Sequence, residues 1–330
     1  MISYEELGLA NTREMYTRAL AGHYAVPGYN FKTLEQVMAI IQACVETKSP
    51  VLLQHFPPPA EEMHPAIVLG LVRGAVEMAA GQIDIAFHLD HGVSFEQCKA
   101  CIDGGYSSVM IDGSQLPYAE NVAITSEVVA YAHDRGVTVE GELGGIAGRE
   151  IASGPMVERY TIPEEAERFV AATGVDSLAV SIGTVHGAFK NIVKPGEIPP
   201  PLRFDILERI KQRLPGLPVV LHGASGIPQE HVTAVNAHGG SLPRAVGIPD
   251  DQVRKAIAIN VCKVNIHTDS QIAMTGAVRA YLDAHPADYD PRKYLGAARR
   301  AMVALYVDKN RHLLGCAGRA VPTPNISHPR

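Results

Sequence analysis

Ile83–Asp90 reads IDIAFHLD, an almost unbroken apolar run that ends on an aspartate, with His91 and Gly92 directly after it. Such a run fits a strand buried on both faces. Phe95–Gly105 (FEQCKACIDGG) follows and reads as a helix stopped by glycine. A second apolar run, Ser107–Asp112 (SSVMID), comes next. The same alternation extends both ways. Upstream lie His23–Asn30 (HYAVPGYN) and Pro50–His55 (PVLLQH). Downstream lie Val137–Leu143 (VTVEGEL), Asp176–Ile182 (DSLAVSI), Pro218–His222 (PVVLH) and Val261–Ile266 (VCKVNI). Between them, Thr33–Thr47 places Leu34, Val37, Ile41 and Cys44 at helical spacing. Asn121–Arg135, Pro163–Thr173, Leu202–Arg213 and Asp269–Leu282 are similar, with Gly136 and Gly174 as stops. Eight strand-then-helix units predict an α/β fold, the (β/α)8 TIM barrel. One domain over 1–330 is expected, with a loose tail at 321–330. A doubly wound open sheet would need a phosphate-binding glycine turn after its first strand, and Gly28–Gln36 (GYNFKTLEQ) is not one.

Composition narrows the function. Of 330 residues 46% are hydrophobic and 19% charged, which supports a large core and argues against disorder. The net charge of −6, with no basic run, gives no footing for nucleic acid or a membrane surface. A small anion remains possible, because phosphate is captured by local groups. Met1–Glu6 lacks a signal-peptide pattern, and no apolar stretch reaches membrane-span length. The cysteines, Cys44, Cys98, Cys101, Cys262 and Cys316, are odd in number and irregular in spacing. A reduced, cytoplasmic protein is expected. Cys98 and Cys101 form a CxxC inside a helix with no second pair nearby, and read as small helix residues.

The C-terminal strand ends form the functional face of such a barrel. Here they carry Asn30, Asp90 with His91, Asp112, Glu140 with Glu142, His186, His222 and Asn265. Polar groups there are costly unless they serve a site. His91, His186 and His222 are each followed by glycine. Singly, each reads as a polar loop residue; together on one face, three histidines with an open fourth position suit a catalytic zinc, or cobalt or iron. Asp90 could act as general acid or base, or orient an imidazole. His55, His64, His88, His231, His238 and His312 read as structural or exposed, with His88 turned to the opposite face from the strand end if alternation holds. His222–Gly226 (HGASG), Gly187 and the backbone before a helix at Pro228–Asn236 offer N–H donors to an anion, and Lys190 could add charge. Gly144–Gly154 (GGIAGREIASG) reads as a lid or a plain flexible loop.

The blocks HLDHG, CIDGGYSSVMIDGSQLPYAENV, VEGELGGIAGRE, DSLAVSIGTVHGAFK, VVLHGASGIP and DPRKYLG occur in this order, between VPGYNFKTLEQ and LLGCAGRA. Over nearly its whole length the chain resembles the class II fructose-bisphosphate and tagatose-bisphosphate aldolases. The resemblance implies a Zn2+ held by His91, His186 and His222, with Glu142 able to ligate in an alternative position. It implies that Asp90 exchanges a proton with the C4 hydroxyl of a sugar phosphate and that Glu150 moves one at C3. Zinc would act as Lewis acid on the charge left by C3–C4 cleavage. Gly187, Lys190, Gly223, Ser225, Asn265 and Thr268 would surround the phosphate of the dihydroxyacetone-phosphate half, and Asn30 would join the substrate site. Arg292 would reach the far phosphate from a neighbouring subunit, which implies a homo-oligomer, dimer or tetramer. A monovalent cation, Na+ or K+, is also common in the family.

The chain departs from the family pattern in the distal half of the site. His267 stands where fructose-type members commonly have an aspartate, Gln271 where many place an arginine, and Phe56 near a usual serine. An acceptor-only carboxylate is thereby replaced by imidazole and a fixed positive fork is lost. Fructose 1,6-bisphosphate is the default substrate; tagatose 1,6-bisphosphate or another ketose 1-phosphate, for example a sulfonated one, is the alternative. A metal-dependent hydrolase and a non-catalytic sugar-phosphate binder are the readings outside aldol chemistry.

Overall fold

A computed structural model describes residues 1–56, 63–146, 159–186, 200–243 and 246–323. Glu150, Gly187 and Lys190, most of the 144–154 loop and the tail from 324 lie outside the described residues. Within them the strands are β1 (Val26–Asn30), β2 (Val51–His55), β3 (Ile85–Gly92), β4 (Ser108–Ile111), β5 (Thr138–Leu143), β6 (Ser177–Val180), β7 (Val219–Leu221) and β8 (Val261–Ile266). All pair in parallel in chain order, and β8 returns to β1 to close the barrel. The TIM barrel read from the sequence is therefore the observed fold, with a strand at every predicted run and β3 continuing two residues past its run to Gly92.

The helices are α1 (Thr12–Gly22), α2 (Leu34–Thr47), α3 (Pro65–Ala79), α4 (Phe95–Asp103), α5 (Tyr118–His133), α6 (Pro163–Thr173), α7 (Phe204–Arg213), α8 (Gln229–Ala237), α9 (Asp250–Ile259), α10 (Thr268–Ala284) and α11 (Pro291–Asp308). Local chemistry fixes several starts. The Thr33 hydroxyl accepts the Gln36 N–H ahead of α2, and the Ser94 hydroxyl accepts the Gln97 N–H ahead of α4. Helices α1, α3, α9 and α11 have no counterpart in the sequence reading. Of these, α1 matters most for the site, because it lies across the N-terminal ends of the strands. Asn11 donates to the Gly136 carbonyl at 2.7 Å, Thr12 shares a hydrogen bond with Thr138, and Arg13 pairs with Asp176 at 2.6 Å. That end is plugged, and the C-terminal face is the one free to take a ligand.

Two environments make up the core. Outside the barrel wall, Phe87, Leu89, Val109, Val139 and Val264 pack with Ile40, Ile41, Val72, Phe169 and Leu207 from the helix layer, all buried in one apolar cluster. Each such side chain contributes about 1.5–3 kcal/mol by leaving water. Inside the wall, Met110, Ala179 and Val220 form a small buried apolar cluster of their own. Beside them sits an ionic group. Lys263 Nζ lies 2.7 Å from Glu140 Oε2 and 3.1 Å from His88 Nε2, and both charged side chains are 0% exposed. His88 Nδ1 reaches Ser108 Oγ at 2.9 Å, and Glu140 Oε1 reaches His222 Nε2 at 2.7 Å.

Two expectations change here. His88 does not turn away from the strand end; it faces the barrel interior, and it is at His91 that the alternation breaks. Glu140 does not stand at the rim beside Glu142; it is one layer deeper, because two residues along a strand is one step along the same face.

Replacing Lys263 by Met is expected to cost about 3–5 kcal/mol, since Glu140 keeps a buried charge without its counterion. Urea unfolding of Lys263→Met and of the Lys263→Met/Glu140→Gln double variant checks this. The double variant should regain part of the loss, and a single variant as stable as the parent would refute the arrangement.

Candidate active site

The C-terminal ends of the strands enclose a small cavity lined by Asn30, Asp90, His91, His186, His222, Gly223, Ser225, Asn265, His267 and Thr268. All ten were picked out in the sequence, nine as strand-end, metal or phosphate candidates and His267 as a departure. Strand alternation alone would deliver either Asp90 or His91 to this cavity. The pairing of β3 with β4 shifts register between Leu89 and Gly92, and His91 takes a left-handed φ of 52°. That bend brings both side chains to one side, at a local cost of about 1–2 kcal/mol for a residue with a Cβ. Gly223 serves the matching turn after His222. Its φ is 63°, and a Cβ there would lie 2.8 Å from the Val185 carbonyl.

The three imidazoles converge. Ring centroids are 4.6 Å apart for His91–His222, 5.1 Å for His91–His186 and 5.9 Å for His186–His222. One nitrogen from each lies within 4.8 Å of the others. His91 and His222 each give their far nitrogen to a carboxylate: His91 Nδ1 to Asp112 at 2.9 Å, His222 Nε2 to Glu140 at 2.7 Å. Their near nitrogens, His91 Nε2 and His222 Nδ1, then face each other at 3.0 Å. Two neutral rings so held would oppose lone pairs, so the pair needs a shared proton or a cation. Burial, reinforced by His91 and Lys263, pushes His222 well below the usual imidazole range. Burial also disfavours a charge on His91, but Asp90 and Asp112 outweigh it and raise His91 to about 10. Carboxylates on the outer nitrogens and inner nitrogens turned together are what a metal held by histidines requires.

Glu142 adds a second grouping, with one ligand atom each from His91, Asp112 and Glu142 inside 4.8 Å. Its carboxylate is buried, and neither oxygen is hydrogen-bonded among the described residues. Burial and the neighbouring Asp112 push it well above the usual carboxylate range. A dry carboxylate without donors suits a cation nearby.

Asp90 is held by two amides. Asn30 Nδ2 donates to Oδ2 at 2.6 Å and Asn265 Nδ2 to Oδ1 at 3.0 Å. Gln54 Nε2 donates in turn to Asn30 Oδ1 at 3.2 Å. Burial opposes its charge, but His91, His222, Lys263 and the Asn30 bond together lower its pKa. Asp90 is thus an ionised, fixed acceptor. Gly28 makes room for these amides; a Cβ there would meet Gln54 Oε1 at 2.0 Å and Asn265 Oδ1 at 2.8 Å.

The other end of the cavity lies at a helix start. Thr268 opens α10, so the positive end of that helix lies beside Gly223 and Ser225. The loop contributes less backbone than the sequence suggested. The N–H groups of Gly226 and Ile227 are taken by Asp269 at 3.1 and 2.8 Å. On the distal side, His267 Nε2 meets Gln271 Nε2 at 3.0 Å, while Gln271 and Phe56 are not among the lining residues. Arg292 is not brought to this cavity; its side chain is 89% exposed and paired with Asp290 at the start of α11. The sequence reading missed Lys263 and Asp269. The signal for Lys263 was a lone charge two residues before Asn265 in an apolar strand.

Comparison with known proteins agrees with this geometry. The family model "Fructose-bisphosphate aldolase class-II" matches residues 10–319. A fructose-bisphosphate aldolase from Treponema pallidum (strain Nichols) is 52% identical over 332 residues, covering 97% of this chain and 100% of that protein. One from Geobacillus stearothermophilus is 42% identical over 318 residues, covering 95% and 99%. The crystal structure of the YdjI aldolase from Escherichia coli K12 superposes with a TM-score of 0.75 at 28% identity, over 95% of this chain and 100% of that one. The chain therefore belongs to the class II fructose-bisphosphate aldolase family, and is a carbon–carbon lyase of that class.

Proposed function

We propose that this enzyme reversibly cleaves fructose 1,6-bisphosphate into dihydroxyacetone phosphate and glyceraldehyde 3-phosphate, with zinc at His91, His186 and His222. The observation that carries the reading is the convergence of three imidazoles beside Asp90, whose two oxygens are both pinned. A bound zinc supplies the Lewis acidity that spreads the negative charge left at C3 when the C3–C4 bond breaks. Asp90, ionised and without freedom to turn, accepts the C4 hydroxyl proton as that bond breaks. Asn30 and Asn265 keep its oxygens in place through the transfer. Ser225, Gly223 and the first turn of α10 seat the phosphate of the half that becomes dihydroxyacetone phosphate. Glu142 is the alternative ligand, and Glu150 is the group assigned to return a proton to C3. Gly187 and Lys190 complete the phosphate site, and Na+ or K+ is a further cofactor of this reading. His267, backed by Gln271, faces the aldehyde half.

Arg292, exposed on one chain, is read as reaching the far phosphate of a second copy, which makes the enzyme a homo-oligomer. Among the described residues no helix is long and apolar enough to cross a membrane. A cytoplasmic location fits the free cysteines. The family and the relatives' names favour fructose over tagatose 1,6-bisphosphate, so the latter serves as the comparison substrate.

Two outcomes test this reading. Asp90→Ala is expected to lower kcat by about 10²–10⁴ while KM changes little, measured by coupled detection of dihydroxyacetone phosphate; full turnover would remove Asp90 from the proton transfer. Chelation should abolish cleavage and zinc restore it. His186→Ala should retain far less zinc by elemental analysis, and a variant that stays loaded and active would overturn the metal assignment.

A further inference from the structure

Gly247 and Ile248 pack against the phosphate loop after β7, and the Ile248 N–H donates to the Ser225 carbonyl at 3.4 Å. A cavity of about 440 Å³ opens there, bordered by Gly226, Pro228, Asp250, Leu305 and Lys309. On the side of that cavity the loop also meets charged side chains. Asp269, fully buried in the first turn of α10, accepts the Gly226 and Ile227 N–H groups through its two oxygens. Ile227 sits at a left-handed φ of 50°, a conformation costly for a β-branched residue unless something fixes it. Asp269 needs a counterion, because an unpaired buried carboxylate takes up a proton or pulls in water. Lys309 supplies it. Its ammonium is buried, 3.4 Å from Asp269 Oδ2 and 3.7 Å from Asp250 Oδ1. A Cβ on Gly226 would lie 3.2 Å from Lys309 Nζ, so the lysine head rests directly on the loop.

Lys309 comes from far along the chain. It begins a π-turn, Lys309–Leu313, where α11 ends. The wider turn departs from regular helix geometry just where this side chain enters the core.

We propose that Lys309 is a positioning residue for the phosphate end of the active site. It pairs with Asp269 and holds that carboxylate in place. Asp269 fixes Gly226 and Ile227, and these hold Gly223 and Ser225 against the phosphate. The inference rests on the phosphate reading given above and adds a residue that does not line the cavity.

The test uses the zinc-loaded, full-length enzyme with Lys309→Met, Lys309→Gln and Lys309→Arg. Four quantities are measured: kcat and KM for fructose 1,6-bisphosphate, the competitive inhibition constant of inorganic phosphate, and the urea midpoint. Removing a charge-assisted brace is expected to raise KM and the phosphate inhibition constant together by about 10-fold, with kcat within about 3-fold. Lys309→Arg should restore both, since it keeps the charge. Lys309→Gln decides the matter where Lys309→Met fails to fold, because it keeps a donor and loses only the charge. A lowered urea midpoint with unchanged KM and unchanged phosphate inhibition would make Lys309 a stabilising brace only and overturn the proposal. An Arg variant as impaired as the Gln variant would overturn it too. If the parent enzyme shows no competition by phosphate, the phosphate reading itself falls and takes the proposal with it.

Discussion

Glu140 carries a carboxylate into the dry centre of the barrel, and the site above it is arranged around that charge. Lys263 takes one oxygen at 2.7 Å, which leaves the other to His222. His222 must then donate from Nε2, so its Nδ1 is the nitrogen presented to the cavity. Lys263 has protons to spare, and one goes to His88, which must be neutral to accept it. Burial and Lys263 both lower the pKa of His88, in keeping with that role. Its other nitrogen is passed to Ser108. A single buried charge thereby ties together β3, β4, β5, β8 and the end of β7. Such a pair adds little net stability compared with a well-packed apolar core. What it fixes here is the tautomer and direction of an imidazole.

Strand geometry sets the second constraint. A β-strand offers every other side chain to the barrel interior, yet aldol chemistry of this kind needs a base and a metal ligand within a few ångströms. The fold meets that need by breaking the strand where it ends. The left-handed turn at His91 delivers Asp90 and His91 to the same side, and Asp112 anchors the displaced ring from β4. The strain lies at a functional position and is held by partners on neighbouring strands. The same economy of position appears at Asp90, whose oxygens are fixed by amides from β1 and β8 that are adjacent only because the barrel closes.

Much of this was legible in the sequence. The eight apolar runs and the polar residues at their C-terminal ends gave the barrel and the face that carries the site, because burial on both sides leaves a strong local pattern. Asp90, His91, His186, His222 and Asn265 follow from being polar at those ends. Lys263 did not, because its meaning depends on Glu140, and the two are brought together only by the closed register. His88 was placed on the wrong side because alternation was carried through a position where the backbone turns. Helix α1 escaped notice for a similar reason. Thr12, Met15, Tyr16 and Ala19 are buried against the barrel floor, and a stripe of such mixed polarity is faint until the floor is there to receive it.

The two ends of the cavity are also held by different means, and this bears on selectivity. At the end proposed for phosphate, a ladder of buried charge runs from Lys309 through Asp269 to the loop, and the start of α10 adds a fixed dipole. The distal wall offers His267 backed by Gln271, two groups that already satisfy each other. No lysine or arginine lines the cavity among the described residues. Imidazole and amide discriminate by direction of hydrogen bonds rather than by charge, so they can read hydroxyls but are poor at holding a second phosphate. A doubly phosphorylated substrate therefore needs positive charge delivered from outside this set. Arg292 is displayed on the surface at the head of α11, and under the reading proposed above it would lend that charge to a second copy. Under that proposal, affinity for the first phosphate would belong to the single chain, and affinity for the second would depend on assembly.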